Sequence, residues 1–248
     1  MPEITQLLIL FGVGCAAGVI NVMAGGGSSL TLPTLIFLGL DGAMANGTNR
    51  VALVVQNVMG VWSFRREKVS RLQLSLKLAV WTLPGAIIGA LVAVRISDEW
   101  FQKILGIVLI GVVISMLIPR SGGKETTPEG ISSKWAYPAM MLIGFYGGFI
   151  QLGVGFLIMA TLYHILRIDL VFTNMHKLTI VLIYMIPALA IFAFSGNVNW
   201  VLGLCLAAGN GFGAFWAARF AVRRGDKVIR YVLVVAVLIM AAKILGLF

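Results

Sequence analysis

The chain has 248 residues, of which 60% are hydrophobic and 11% charged, and its mean hydropathy is +0.99. Those values exclude an ordinary soluble domain and describe an integral membrane protein, long enough for about six to ten helical crossings with no soluble domain beside them. The net charge of +10 does not point to nucleic acid, because the basic residues sit in short loops between apolar segments. Loop cations of that kind act as orientation signals, and anionic lipid headgroups are their expected partners.

The opening Met1-Pro2-Glu3 has no basic stretch before its apolar run, which reads as a retained first helix and not a cleaved signal peptide. From Ile4 to Leu40 there is no charge for 37 residues. One helix of that length, at ~1.5 Å per residue, would far exceed a ~30 Å hydrocarbon core. The run must break, and Gly25-Gly26-Gly27-Ser28-Ser29 is the place, since consecutive glycines are poor helix formers. Broken backbone at membrane depth is tolerated only against protein or a water-filled cavity. The break therefore predicts a site.

Apolar segments are expected at about Thr5–Ala24, Ser28–Leu38, Ala43–Phe64, Leu78–Val94 and Ile104–Ile118. The second is too short to span comfortably. The third carries Asn46, Thr48, Asn49 and Arg50 near its start and Gln56-Asn57 further in, and ends at Arg65, Arg66, Lys68 and Arg71. The fourth contains Pro84 and the close-packing spacing Gly85-x-x-x-Gly89. Between Pro119 and Lys134 the composition turns polar, with glycine and proline, and reads as a linker.

The stretch after the linker repeats the stretch before it. Gly144-Phe-Tyr-Gly-Gly148-Phe-Ile-Gln151 parallels Gly14-Cys-Ala-Ala-Gly18-Val-Ile-Asn21, and each precedes a glycine-containing break, Gly153-Val-Gly155 in the second case. Asp41 and Asp169, Asn46 and Asn174, Thr48 and His176, and Asn49 and Lys177 are each 128 apart, whereas Gly85, Gly89 and Arg95 precede Gly209, Gly213 and Arg219 by 124. Common order and spacing indicate an internal duplication. Loop charge then orients the repeats. Arg65, Arg66, Lys68 and Arg71 have an uncharged counterpart in Ser195–Asn199, while the charge-balanced loop of Arg95–Lys103 has a strongly basic counterpart in Arg219–Arg230. By the positive-inside rule the loops at 65–71 and 219–230 are cytoplasmic and that at 195–199 is external, so equivalent loops face opposite sides. The expected fold is an all-α polytopic membrane protein of two inverted repeats, each a broken re-entrant helical hairpin plus three transmembrane helices. The first repeat covers 1–118, a cytoplasmic linker 119–134, and the second repeat 135–248. Inverted repeats with discontinuous helices meeting near the midplane are a transporter architecture.

Several of these stretches together resemble the sulfite exporter TauE/SafE family of membrane transporters. They are Gly18-Val-Ile-Asn21-Val-Met-Ala-Gly-Gly-Gly27 with the Pro33 segment after it, Gly47-Thr48-Asn49-Arg50, Gly144-Phe-Tyr-Gly-Gly148-Phe, the turn Gly196-Asn197-Val-Asn199-Trp200, and Gly213-Ala214-x-x-Ala217-Ala218-Arg219. The resemblance covers nearly the whole chain. It implies two duplicated membrane modules and movement of sulfur-containing anions such as sulfite or organosulfonates, with export as the expected direction and the cell inner membrane as the location. Gln151-Leu-Gly153-Val-Gly155 departs from the glycine-rich segment usual at that place in the family, and His176-Lys177 from small hydroxyl residues.

The residues argue for an anion independently of the resemblance. Short half-helices starting after Gly27 and Gly155 would aim free N–H groups and positive dipole ends at one spot. Arg50 and Lys177 supply one cation from each repeat, the alternative being that they snorkel to headgroups. The candidate substrate-binding set is Asn21, Gly25, Gly26, Gly27, Ser28, Asn46, Thr48, Asn49, Arg50, Gln151, Gly153, Gly155, Thr173, Asn174, His176 and Lys177; helix packing is the alternative for the neutral ones. Gln56, Asn57 and Tyr184 are read as packing residues. His164 is read as interfacial, Cys15 and Cys205 as small core residues, Asp41 and Asp169 as helix N-caps, and Trp62, Trp81, Trp100, Trp135 and Trp200 as interfacial anchors. No metal or cofactor is expected. The expected partners are a small sulfur-containing anion and membrane lipids, with a homodimer as one possibility and no nucleic acid. An importer or a transporter of another small anion is the nearest alternative; a membrane enzyme is disfavoured because the apolar runs hold no Asp or Glu, and a scaffold subunit because polar groups recur at matching breaks.

Overall fold

A computed structural model of the chain describes residues 3–101, 103, 104, 107 and 135–224; most of the expected fifth segment, the linker at 119–134 and the basic residues after Arg224 lie outside them. Among the described residues every regular element is helical: α1 (Ile4–Met23), α2 (Ser28–Phe37), α3 (Gly42–Arg66), α4 (Leu72–Ala93), α5 (Ala136–Phe149), α6 (Val154–Ala160), which runs into a π-helical turn (Thr161–Ile165), α7 (Leu170–Phe194) and α8 (Trp200–Arg224). Four of these, α1, α4, α7 and α8, are long and apolar enough to cross a bilayer. α2, at 10 residues, reaches only about half a core thickness.

Large apolar side chains cover the outside, while polar ones are buried within an otherwise apolar interior. Phe37 and Phe194 are 90% and 93% exposed, and Trp62, Trp81, Trp100, Trp135 and Trp200 all face outward. Asn46, Thr48, Asn49, Arg50, Gln56, Asn57, Thr173, Asn174, His176 and Lys177 are buried. Water would reverse this arrangement; lipid, which cannot hydrogen-bond the polar groups, enforces it.

Sequence logic accounts for the element boundaries. Asp41 and Asp169 accept bonds from the amides of Met44 (2.8 Å) and Phe172 (3.0 Å) and so start α3 and α7, as expected. The first break falls at Gly25, whose φ of +89° L side chains disfavour. The second differs from the expected one: Gln151 and Gly153 take the left-handed conformations, with φ +66° and +71°, and α6 starts at Val154. Gly155, expected to precede the half-helix, lies inside it. Its lack of a side chain serves a contact instead.

That contact is with Gly25. A β-carbon on Gly25 would lie 2.6 Å from the Gly155 carbonyl carbon, and one on Gly155 would lie 2.5 Å from the Gly25 α-carbon. The two breaks touch backbone to backbone. Around them the helices pair crosswise: α1 packs along α8, and α5 along α4. Both seams are lined by glycine, with Gly14 and Gly18 against Gly209 and Gly213 in one, and Gly144 and Gly148 against Gly85 and Gly89 in the other. In lipid, where burying apolar surface gives no drive for helices to associate, close backbone approach of this kind supplies the packing. α3 and α7 cross between the two seams, touching each other.

These contacts predict contrasting effects of a single methyl group. Gly155→Ala should lower stability by about 1–3 kcal/mol, because backbone atoms cannot rotate away from an added β-carbon. Gly12→Ala, with nothing within 4 Å of its β-position, should be neutral or slightly stabilising in the helix. Thermal unfolding of the two purified variants in one detergent compares them.

Candidate functional site

The cations that the sequence singles out lie deep in the molecule, and neither reaches a headgroup: Arg50 is 0% exposed and Lys177 2%. On α3, whose 25 residues make it about 37 Å long, Arg50 lies about 12 Å from the start and Gln56 about 21 Å. Lys177 and Tyr184 stand at matching depths on the equally long α7.

Each cation closes the end of a helix that lies about 100 to 150 residues away in the chain. Lys177 Nζ donates to the carbonyls of Asn21 (2.9 Å) and Val22 (2.7 Å) at the end of α1, and to Asn174 Oδ1 (2.7 Å). Arg50 donates through Nη1 to the carbonyl of Gly147 (3.3 Å) and through Nη2 to that of Gly148 (2.5 Å) at the end of α5, and reaches Asn46 Oδ1 (3.4 Å) on its own helix. Asn46 Nδ2 in turn donates to the Phe149 carbonyl at 2.7 Å. The last carbonyls of a helix have no partner within it and carry its negative dipole end, so a cation is their natural cap. The Arg50 guanidinium also lies 4.6 Å from the Phe192 ring centroid. Among the described residues Glu99 pairs with Lys103, and Glu67 with Arg219 and Arg223; no carboxylate pairs with Arg50 or Lys177.

The remaining expected residues divide by partner. Asn21 Nδ2 donates to Gln56 Oε1 at 3.1 Å, and Gln151 Oε1 accepts from the Tyr184 hydroxyl at 3.0 Å. Asn49 accepts from Thr31 Oγ1 (2.7 Å) and donates to Ser28 Oγ (3.5 Å), holding the start of α2 against α3. Gly27 packs its backbone on Ala17 and Asn21 of α1, and Gly26 accepts from Ser29. Three residues bond elsewhere: Thr48 accepts from the Asn199 amide (2.9 Å), Thr173 donates to the Ile168 carbonyl (3.1 Å), and His176 Nδ1 pairs with Ser75 Oγ of α4 (2.7 Å). Among the described residues no group of acidic, cysteine and histidine side chains could hold a metal ion.

Gln56 and Tyr184, expected only to pack, are the partners of Asn21 and Gln151. The signal was present in the spacing: 56 and 184 are 128 apart, like the other matched residues of α3 and α7. Asn57 is buried and donates to the Leu53 carbonyl of its own helix at 2.6 Å.

The family model described as "Sulfite exporter TauE/SafE" matches residues 10–244. A "Probable membrane transporter protein" of Haemophilus influenzae is 27% identical over 241 residues, covering 97% of this chain and 94% of its own length. A "Probable membrane transporter protein ORF9" of a Sinorhizobium species is 27% identical with 97% and 92% covered, and the "Probable membrane transporter protein YfcA" of Escherichia coli K12 is 28% identical with 96% and 88% covered. No solved structure matches the chain.

The Tyr184 hydroxyl is buried against Gln151, so Tyr184→Phe removes a donor and leaves a buried amide oxygen unpaired. The expected loss is about 1–3 kcal/mol of stability. Denaturant or thermal unfolding of the variant beside the parent protein measures it.

Proposed function

The chain belongs to the TauE/SafE sulfite exporter family, and from that membership we propose that it moves small sulfur-containing anions, such as sulfite or organosulfonates, outward across the cell inner membrane. The observation that carries the anion is the pair Arg50 and Lys177: two buried cations with no carboxylate partner on either side of the Gly25–Gly155 contact. Each helix end that they cap supplies roughly half a negative charge, which leaves about one positive charge uncompensated. An unpaired charge in a low-dielectric interior costs several kcal/mol, and a monovalent anion bound beside the breaks would remove that cost.

The architecture is consistent with two inverted repeats, 1–118 and 135–248, joined by a cytoplasmic linker at 119–134. Arg50 caps α5 and Lys177 caps α1, the seam α1–α8 matches α5–α4, and Gly25 meets Gly155; every one of these contacts exchanges the two stretches of chain. Transporters use such symmetry to expose one central site alternately to either side.

Energy would come from the membrane potential. Among the described residues no Asp or Glu is buried, whereas carboxylate proton relays and sodium sites place one within the span. An interior at −60 to −100 mV pushes each negative charge outward with roughly 1.4–2.3 kcal/mol.

Two measurements test this reading. In anion-binding titrations of the purified protein with sulfite, Arg50→Gln and Lys177→Gln should each weaken binding roughly ten- to a hundredfold, the worth of one charge-assisted contact. Unchanged affinity in both variants, with the fold retained, would remove the two cations from the site. In proteoliposomes, sulfite flux should follow an imposed potassium-diffusion potential without a pH gradient. Flux that ignores voltage and follows a pH gradient, losing that response in His176→Gln, would replace the uniport mechanism with proton coupling.

A further inference from the structure

Among the described residues, three buried side-chain N–H groups lack any partner in the protein: Arg50 Nε, Gln56 Nε2 and Asn174 Nδ2. A fourth, Arg219 Nε, faces Glu67 at 3.1 Å in an ion pair. Buried polar groups are nearly always bonded, and each exception calls for a physical reason.

Two of the three gather at one place. Lys177 Nζ holds Asn174 Oδ1 at 2.7 Å and the Asn21 carbonyl at 2.9 Å, and the Asn21 side chain holds Gln56 Oε1 at 3.1 Å. A protonated Lys177 only donates, so toward it the Asn174 amide presents its oxygen and leaves its NH₂ free. Gln56 lies on α3, Asn174 and Lys177 on α7, and Asn21 at the end of α1, so three helices converge here beside the first glycine break.

We propose that Gln56 and Asn174 are substrate-binding residues, whose free amide N–H groups beside Lys177 hold the oxygens of a small oxyanion. This rests on the anion-transport reading and deepens it by naming the donors and the class of anion. Two amide donors next to an ammonium suit a group that only accepts, such as a sulfite, sulfonate or sulfate oxygen. Several separated oxygens would let an oxyanion meet both amides and the ammonium at once, where a halide offers one centre. Gln56 is new to the site, and Asn174 acquires a defined role as a donor.

Glutamate and aspartate substitutions separate this role from a structural one. Gln56→Glu keeps the oxygen that accepts from Asn21, and Asn174→Asp keeps the oxygen that accepts from Lys177, so both preserve the existing bonds. Both replace the free N–H with an anionic oxygen. Sulfite, sulfate and chloride binding would be titrated on the purified full-length protein, its two carboxylate variants and Gln56→Leu, with thermal unfolding of each as the control for folding. The expected result is at least a tenfold loss of sulfite or sulfate affinity in Gln56→Glu, Asn174→Asp and Gln56→Leu, with unfolding temperatures of the two carboxylate variants close to the parent's. A parent protein that binds one of the oxyanions while the carboxylate variants bind it equally well overturns this inference and leaves the anion reading intact; so does loss confined to Gln56→Leu. A parent protein that binds none of the three anions overturns the anion reading, and this inference with it.

Discussion

The structure depends on one backbone contact, Gly25 against Gly155. A helix broken inside a bilayer leaves N–H and C=O groups that lipid cannot satisfy, and the only refuge is protein. Here each break is the other's refuge. Their approach is close enough that any β-carbon would fill it, so glycine is required on both sides. Once the breaks meet, α1 and α5 end at the same centre, and the seams along α8 and α4 hold them there through further glycine contacts.

The cations answer to the same constraint. Where α1 and α5 end, their last carbonyls are unpaired, and Lys177 and Arg50 supply the missing donors. Each comes from the other stretch of chain, so neither stretch closes its own helix end. The capping uses up hydrogen bonds without supplying a full negative charge. Toward the ends of the long helices the ties differ. Glu67 holds Arg219 and Arg223 at the ends of α3 and α8, with Ser63 Oγ donating to the Phe215 carbonyl nearby, whereas near the starts of the same two helices a neutral bond joins Thr48 to the Asn199 amide. Partly exposed ion pairs of this kind are individually weak, so the Glu67 tie can be broken at little cost.

Much of this was legible in the residues because the relevant physics is local. Asp41 and Asp169 cap the helices they precede, the charge-free run breaks at Gly25, and the tryptophans face outward. Less local features were misread. Gly155 looked like a break residue because it closes the glycine-containing Gly153-Val-Gly155, but Gly153 takes the turn and Gly155 the contact. Gln56 and Tyr184, read as packing residues, do join separate segments, but the sequence did not name their partners, which are more than 30 residues away.

The sequence by itself determined that this is a helical membrane protein, that its first apolar run breaks at the glycines, that Asp41 and Asp169 start helices, and that two cations and matched polar residues recur at equivalent places. Those properties rest on hydropathy, backbone conformational freedom and capping, which act within a few residues. Only the tertiary structure decided what the residues touch: that glycine stripes pair across the two stretches, that Arg50 and Lys177 close helix ends instead of reaching headgroups, and which amide N–H groups are left free. The physical reason is that a buried donor's worth depends on whether its partner arrives, and partners here come from segments about 20 to 150 residues away.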